Sequence, residues 1–147
     1  MARQRPLELL LVEDDPGDVV MTREALAEAS SPSTLHVVAD GVEALAFLSR
    51  DPAGSFRSAP APDVVLLDLN LPRMDGHELL AELKASPEWK TIPVIVFTTS
   101  NADSDIRRSY ELQASAFVTK PSSFEEFSSA VREIDRFFAS VAELPER

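Results

Sequence analysis

Short apolar runs closed by acidic or proline-containing segments alternate along the chain with stretches whose apolar residues recur at helical spacing. Leu7–Val12 is such a run, ended by Glu13-Asp14-Asp15-Pro16, and reads as a buried strand that delivers acidic side chains at its carboxyl end. From Gly17 onward Val20, Met21, Ala25 and Leu26 follow a helical period, with Asp18 in the first turn where its charge suits the helix dipole. That helix is predicted to stop near residues 30–33. Residues 34–39 are β-branched and apolar, and Asp40-Gly41 then opens a helix whose predicted face is Val42, Leu45, Ala46 and Leu48.

Residues 51–62 are rich in Pro, Ser, Gly and Ala, lack periodicity, and are read as a long surface connection. The pattern resumes with a third strand over 63–69, the turn-rich Leu71-Pro72-Arg73-Met74-Asp75-Gly76 and a helix over 77–85. A fourth strand is predicted over 93–98, then a polar stretch, a helix ending near 112 and a fifth strand over 116–119 closed by Lys120-Pro121. The last helix spans 123–141. Near-continuous apolar strands must be buried on both faces, so five of them alternating with five helices give an α/β fold with a covered parallel sheet. One domain over residues 1–147, with its core in 7–141, accounts for the pattern.

Charge and composition narrow the partners. The net charge of −11 repels nucleic acid and anionic membrane, which leaves proteins and cations. The absence of cysteine removes disulfides, thiolate metal sites and cysteine nucleophiles. The run Leu7–Val12 is too short for a signal-peptide core or a membrane span, so a soluble cytoplasmic protein is expected.

In open α/β sheets the functional crevice lies at the carboxyl ends of the strands. Those ends carry Glu13 and Asp14, then Asp68, then Thr98, then Lys120. Two carboxylates about 4 Å apart repel by roughly 4 kcal/mol at an effective dielectric of 20, so three together call for a cation. Mg²⁺ suits oxygen ligands and phosphate, whereas His36 and His77 alone offer little to zinc or copper. Asp68 beside such a cation can attack phosphorus, with Lys120 and the Thr98 hydroxyl holding the phosphoryl oxygens. Taken alone, Glu13-Asp14-Asp15 reads equally as a helix cap, Lys120 as a surface lysine and Thr98 as a strand residue. An unpaired carboxylate inside an apolar run, as at Asp68, is expensive, and the conjunction of four strand ends favours the chemical reading.

Leu-Leu-Val-Glu-Asp-Asp, Leu-Leu-Asp-Leu-Asn-Leu-Pro-Arg-Met-Asp-Gly, Val-Phe-Thr-Thr-Ser and Phe-Val-Thr-Lys-Pro resemble the motifs of the response-regulator receiver family over residues 7–141. The resemblance implies a doubly wound, flavodoxin-like (βα)5 sheet of order 2-1-3-4-5. It also implies Asp68 as phosphoacceptor, Asp14 as Mg²⁺ ligand, Glu13 as acidic partner through water and Asn70 as backbone-carbonyl ligand. Thr98 resembles the family's switch hydroxyl, Lys120 its phosphate-binding lysine and Phe117 its switch aromatic. Glu13 stands where an aspartate is often found. The 51–62 connection, the Leu-Pro-Arg-Met-Asp-Gly loop, Thr-Thr-Ser and Phe137-Phe138 are similar to small single-domain regulators that partner bacterial phytochromes and related sensor histidine kinases.

The expected function is a phosphorylation switch in a two-component phosphorelay, not an enzyme in its own right although it assists its own phosphotransfer and dephosphorylation. No output domain is expected, so the output is protein contact through the surface of the fourth helix, the fifth strand (116–119) and the last helix (123–141), with a downstream protein or a histidine phosphotransfer protein. Phe124, Phe127, Val131, Ile134, Phe138 and Val141 repeat in steps of three and four, a seam that fits a homodimer through Phe127, Val131, Phe137, Phe138 and Val141 or, for Phe127, Val131 and Ile134, simple packing on the sheet. Two other classes remain open. A dehalogenase-type phosphatase needs an aspartate where this chain has Asn70, and a phosphorylation-independent adaptor has no need of the intact Asp14, Asp68, Thr98 and Lys120.

Overall fold

The chain is described from a computed structural model, which covers residues 6–29, 33–49 and 61–146. Five strands, β1 (Leu7–Val12), β2 (Ser33–Val38), β3 (Val64–Leu67), β4 (Val94–Thr98) and β5 (Ala116–Thr119), form one parallel sheet in the order β2-β1-β3-β4-β5. Between and after them run α1 (Pro16–Ala27), α2 (Gly41–Leu48), α3 (Gly76–Ala85), α4 (Asp103–Glu111) and α5 (Phe124–Arg136), the last continuing into a π-helical turn, Phe137–Val141. The architecture is the doubly wound one expected. Residues 51–60 of the expected surface connection lie outside the described residues, as do 30–32, where α1 was expected to end.

The period of two along each strand sorts the core into two layers. Leu10, Val12, Val65, Leu67, Val94 and Val96 face Phe47, Leu48, Leu79, Leu80 and Leu83 of α2 and α3. Leu7, Leu9, Leu11, Val64, Leu66 and Ile95 face the other way, toward Phe138 and Ala139, with Phe97, Ala25, Phe127 and Val131 packed together alongside. Each fully buried Leu or Phe contributes about 1.5–3 kcal/mol relative to exposure, so this layering fixes the strands and with them their carboxyl ends.

Two helix faces differ from expectation. In α2 the buried residues are Gly41, Ala44, Phe47 and Leu48, while Val42 and Ala46 are exposed and Leu45 is half-buried. Both sets fit a helical period. The rotation is decided by Gly41, whose α-carbon lies so close to the Met74 side chain that a Cβ would meet it at 2.6 Å, and by the Asp40 cap on Glu43 N–H. In α1, Val20 is likewise exposed.

The apolar seam of the last helix divides. Phe127 and Val131 are each 1% exposed and Phe138 is buried, so these three dimer candidates belong to the protomer's own core, whereas Phe137 and Val141 stay exposed. The physical cause is the π-turn. Ala142 N–H reaches back five residues to the Phe137 carbonyl at 2.8 Å, and this wider turn puts Phe138 on the sheet and its neighbour Phe137 outside.

Candidate functional site

Backbone ladders extend past the strand ends and fix the acidic side chains. Glu13 N–H donates to the Val38 carbonyl at 2.9 Å and Asp68 N–H to the Val12 carbonyl at 3.1 Å. Both residues are therefore held by the sheet although neither is counted within a strand. Asp15 caps α1 through Gly17 N–H, with Pro16 opening the helix. The acidic triplet thus serves both of its readings: Asp15 caps, and Glu13 and Asp14 remain for the crevice.

After Asp68 the chain turns tightly. Gly76 N–H donates to the Leu69 carbonyl at 3.0 Å, and a Cβ on Gly76 would stand 2.4 Å from the Asp68 carbonyl oxygen, so only glycine allows α3 to start there. Asp75 and Glu78 form a reciprocal capping box on α3. Arg73, at φ 61°, forks onto Asp40 through Nε at 2.7 Å and a second nitrogen at 3.2 Å. That guanidinium holds the Asp40 carboxyl below the usual carboxylate range, and the pair ties the β3–α3 loop to the start of α2.

The strand ends converge as expected. Carboxylate oxygens of Glu13, Asp14 and Asp68 lie within 4.8 Å of one another, Glu13 and Asp68 buried and Asp14 exposed. Lys120 Nζ lies 2.5 Å from Glu13 Oε1, 2.6 Å from Asp18 Oδ2 and 3.1 Å from Asp68 Oδ2. Burial, reinforced by the charge of Asp68, pushes Glu13 up to about 7 against the opposing pull of Lys120. For Lys120 burial acts downward, but hydrogen bonds to Asp18 and Glu13 and the charge of Asp68 outweigh it and hold the amine above its usual range, firmly protonated.

Thr98 is fully buried at the end of β4, and its carbonyl accepts the Lys120 N–H at 2.7 Å, which registers the hydroxyl and the amine on adjacent strands. Asn70 N–H lies 3.3 Å from Asp68 Oδ1. Phe117, on β5, is half-buried against the α2–α3 layer, and its N–H donates to the Tyr110 hydroxyl of α4 at 3.2 Å. The sequence reading gave Asp18 no part in the site; its one signal was an acidic side chain in the first turn after the β1 acidic run. Three carboxylates, Glu13, Asp18 and Asp68, contact one ammonium, and the cluster of Glu13, Asp14 and Asp68 offers only hard oxygen donors, a set that fits Mg²⁺ or Mn²⁺.

Residues 9–132 match the family model of the response regulator receiver domain. The chain belongs to that family. This receiver is 39% identical over 140 residues to response regulator Rcp1 of Synechocystis sp., covering 95% of this chain and 94% of Rcp1. The crystal structure of the phosphorylated cyanobacterial phytochrome response regulator RcpA superposes with a TM-score of 0.89 at 40% identity, over 97% of this chain and 100% of that one. The Mn²⁺-bound form of Rcp1 superposes with a TM-score of 0.87 at 38% identity, over 96% and 100% of the two chains. The receiver is thus a response regulator of two-component signalling, homologous to phytochrome response regulators. Among its described residues no helix is long and apolar enough to cross a membrane.

Proposed function

We propose that this receiver accepts a phosphoryl group on Asp68 from the phosphohistidine of a sensor histidine kinase, with Mg²⁺ as cofactor. The observation that carries the reading is the Lys120 ammonium, buried and in contact with both Asp68 and Glu13 beside the three-carboxylate cluster. An Asp68 oxygen attacks phosphorus, an O–P bond forms, the P–N bond to the kinase imidazole breaks, and the imidazole leaves with the electron pair. Glu13, Asp14, Asp68 and the Asn70 carbonyl are the groups to hold the cation, which when bound supplies neutralisation of phosphoryl charge. Lys120 follows the oxygens on one side and the Thr98 hydroxyl donates on the other.

The added charge, about −1.5 to −2, draws Thr98 toward the phosphoryl oxygens and opens space for Phe117, altering the α4-β5-α5 surface. Homology to RcpA supports a phytochrome-class kinase as donor, acting in the cytoplasm. Exposed Phe137 and Val141, at 47% and 53%, support a homodimer through the end of α5, with a downstream protein or a histidine phosphotransfer protein receiving the signal. The chain works as one receiver unit over 1–147 and catalyses nothing beyond its own phosphorylation and dephosphorylation.

The test is intact-mass analysis after incubation with Mg²⁺ and acetyl phosphate, alongside Asp68→Asn. A single Mg²⁺-dependent phosphoryl adduct that the variant lacks is expected. No adduct on the unmutated protein would make a constitutive adaptor the better account, and turnover of a phosphomonoester would favour a phosphatase.

A further inference from the structure

Glu13 has two claims on it. It is the shortest partner of the Lys120 ammonium and also a member of the carboxylate cluster suited to a cation. Its charge cannot be committed fully to both. Asp68, the third partner of Lys120, turns from a carboxylate into an acyl phosphate when it reacts. Of the three carboxylates on Lys120, Asp18 alone is outside the cluster and outside the chemistry, and its contact of 2.6 Å is shorter than that of Asp68.

Asp18 is also rigidly mounted. It stands in the first turn of α1, whose start is set by the Asp15 cap and Pro16 and whose Ala25 is buried against Phe97, Phe127 and Val131. Thr22 Oγ1 donates to the Asp18 carbonyl at 2.8 Å. Lys120, by contrast, is a point charge on a flexible four-carbon stem that needs external partners to stay in one place. An ammonium has three N–H donors, and Glu13, Asp18 and Asp68 occupy all three.

We propose that Asp18 is a positioning residue for phosphoryl transfer, holding the Lys120 ammonium within reach of Asp68 when a cation engages Glu13. The proposal rests on the reading of Asp68 as phosphoacceptor. Asp18 touches no reacting atom; it acts through Lys120. Asp18 stands outside the carboxylate cluster, so it fixes the position of the amine without entering the metal set.

The experiment compares the unmutated protein, Asp18→Ala and Asp18→Asn for phosphoryl adduct formation from acetyl phosphate across a Mg²⁺ titration, by intact mass. A second readout, without phosphodonor, is acylation of Lys120 by acetic anhydride in the Mg²⁺-loaded proteins, followed by peptide mass. Thermal melts establish that each variant is folded, and Asp18→Ser, whose shorter side chain suits the first turn of a helix and ends one atom short of the carboxylate oxygens, replaces Ala with the same expected loss if Ala is not. Asp18→Ala should slow adduct formation at saturating Mg²⁺ about tenfold, the scale of one lost hydrogen bond to a charged group, with the half-saturating Mg²⁺ concentration unchanged. Lys120 acylation should rise in the same variant, and Asp18→Asn should recover most of the rate.

Unchanged rate and unchanged acylation in folded Asp18→Ala would overturn the proposal. A slowed rate restored by more Mg²⁺ would also overturn it, since Asp18 would then belong to the metal set. Absence of any adduct on the unmutated protein would instead sink Asp68 as phosphoacceptor, and the role of Asp18 with it.

Discussion

Gly76 and Asp68 pass each other so closely that a Cβ on Gly76 would lie 2.4 Å from the Asp68 carbonyl oxygen and 2.7 Å from the Leu69 α-carbon. The atoms in the way are backbone and cannot rotate aside. Gly76→Ala should therefore destabilise the fold by about 1–3 kcal/mol, the range for overpacked sites, and slow phosphoryl adduct formation because the residue displaced is Asp68. Urea unfolding of the metal-free protein measures the first effect and intact mass the second. An alanine variant with an unaltered midpoint would mean that α3 can move without cost.

The acidic cluster holds like charges together, so relieving it should stabilise the protein while removing its function. Asp14 is the exposed member. Asp14→Asn should raise the stability of the metal-free protein by about 1 kcal/mol, a fraction of the Coulomb repulsion expected near 5 Å, and remove the rise in melting temperature on adding Mg²⁺. A variant still stabilised by Mg²⁺ would take Asp14 out of the metal set.

Asp135 gives a pH dependence remote from the site. It is 1% exposed on α5, and burial raises its pKa above the ordinary 3.8 against the opposing hydrogen bond from Ser33 Oγ. Because the folded form holds the proton more tightly than the unfolded chain, its contribution to stability is complete below 3.8 and is lost as pH rises through the higher folded value. Asp135→Asn should remove that loss, leaving the variant at least as stable as the unmutated protein at pH 7 and flattening stability against pH in the acid range. Urea midpoints from below 3.8 up to neutral pH decide it. A variant uniformly weaker at neutral pH would mean that the ionised carboxylate has stabilising partners there.

The last helix separates folding from association. Phe127→Ala should cost about 3–5 kcal/mol, because the ring is buried and meets Phe97 at 5.1 Å between centroids. Phe137→Ser with Val141→Ser should leave the melting temperature within a few degrees and abolish the proposed homodimer, with sedimentation as the measurement. A monomeric unmutated protein at high micromolar concentration, with and without beryllofluoride, would remove the dimer altogether.

Much of the molecule is legible in its residues. The apolar runs Leu7–Val12 and Val94–Thr98 are strands because nearly every residue must be buried on one face or the other, and both strands lie where the pattern puts them. Glu13, Asp14, Asp68, Thr98 and Lys120 are legible as a site because a parallel sheet gathers its strand ends, and the carboxylates and the amine do converge. Those conclusions need only local periodicity and topology.

What periodicity leaves undetermined is rotation and partner choice, which depend on atoms distant in sequence. The two helical faces of α2 differ only in which meets the sheet, and Gly41 against Met74 decides that. The seam of α5 reads as continuous along the chain, yet the π-turn at Phe137–Val141 buries Phe138 and exposes Phe137. Asp18 looks like an ordinary first-turn acid until Lys120, 102 residues away, is found 2.6 Å from it. Sequence alone determined the strands, their order of chemistry and the class of site, because those follow from short-range patterning; only the tertiary structure decided which side chains share one ammonium, because that contact depends on how strands and helices pack in three dimensions.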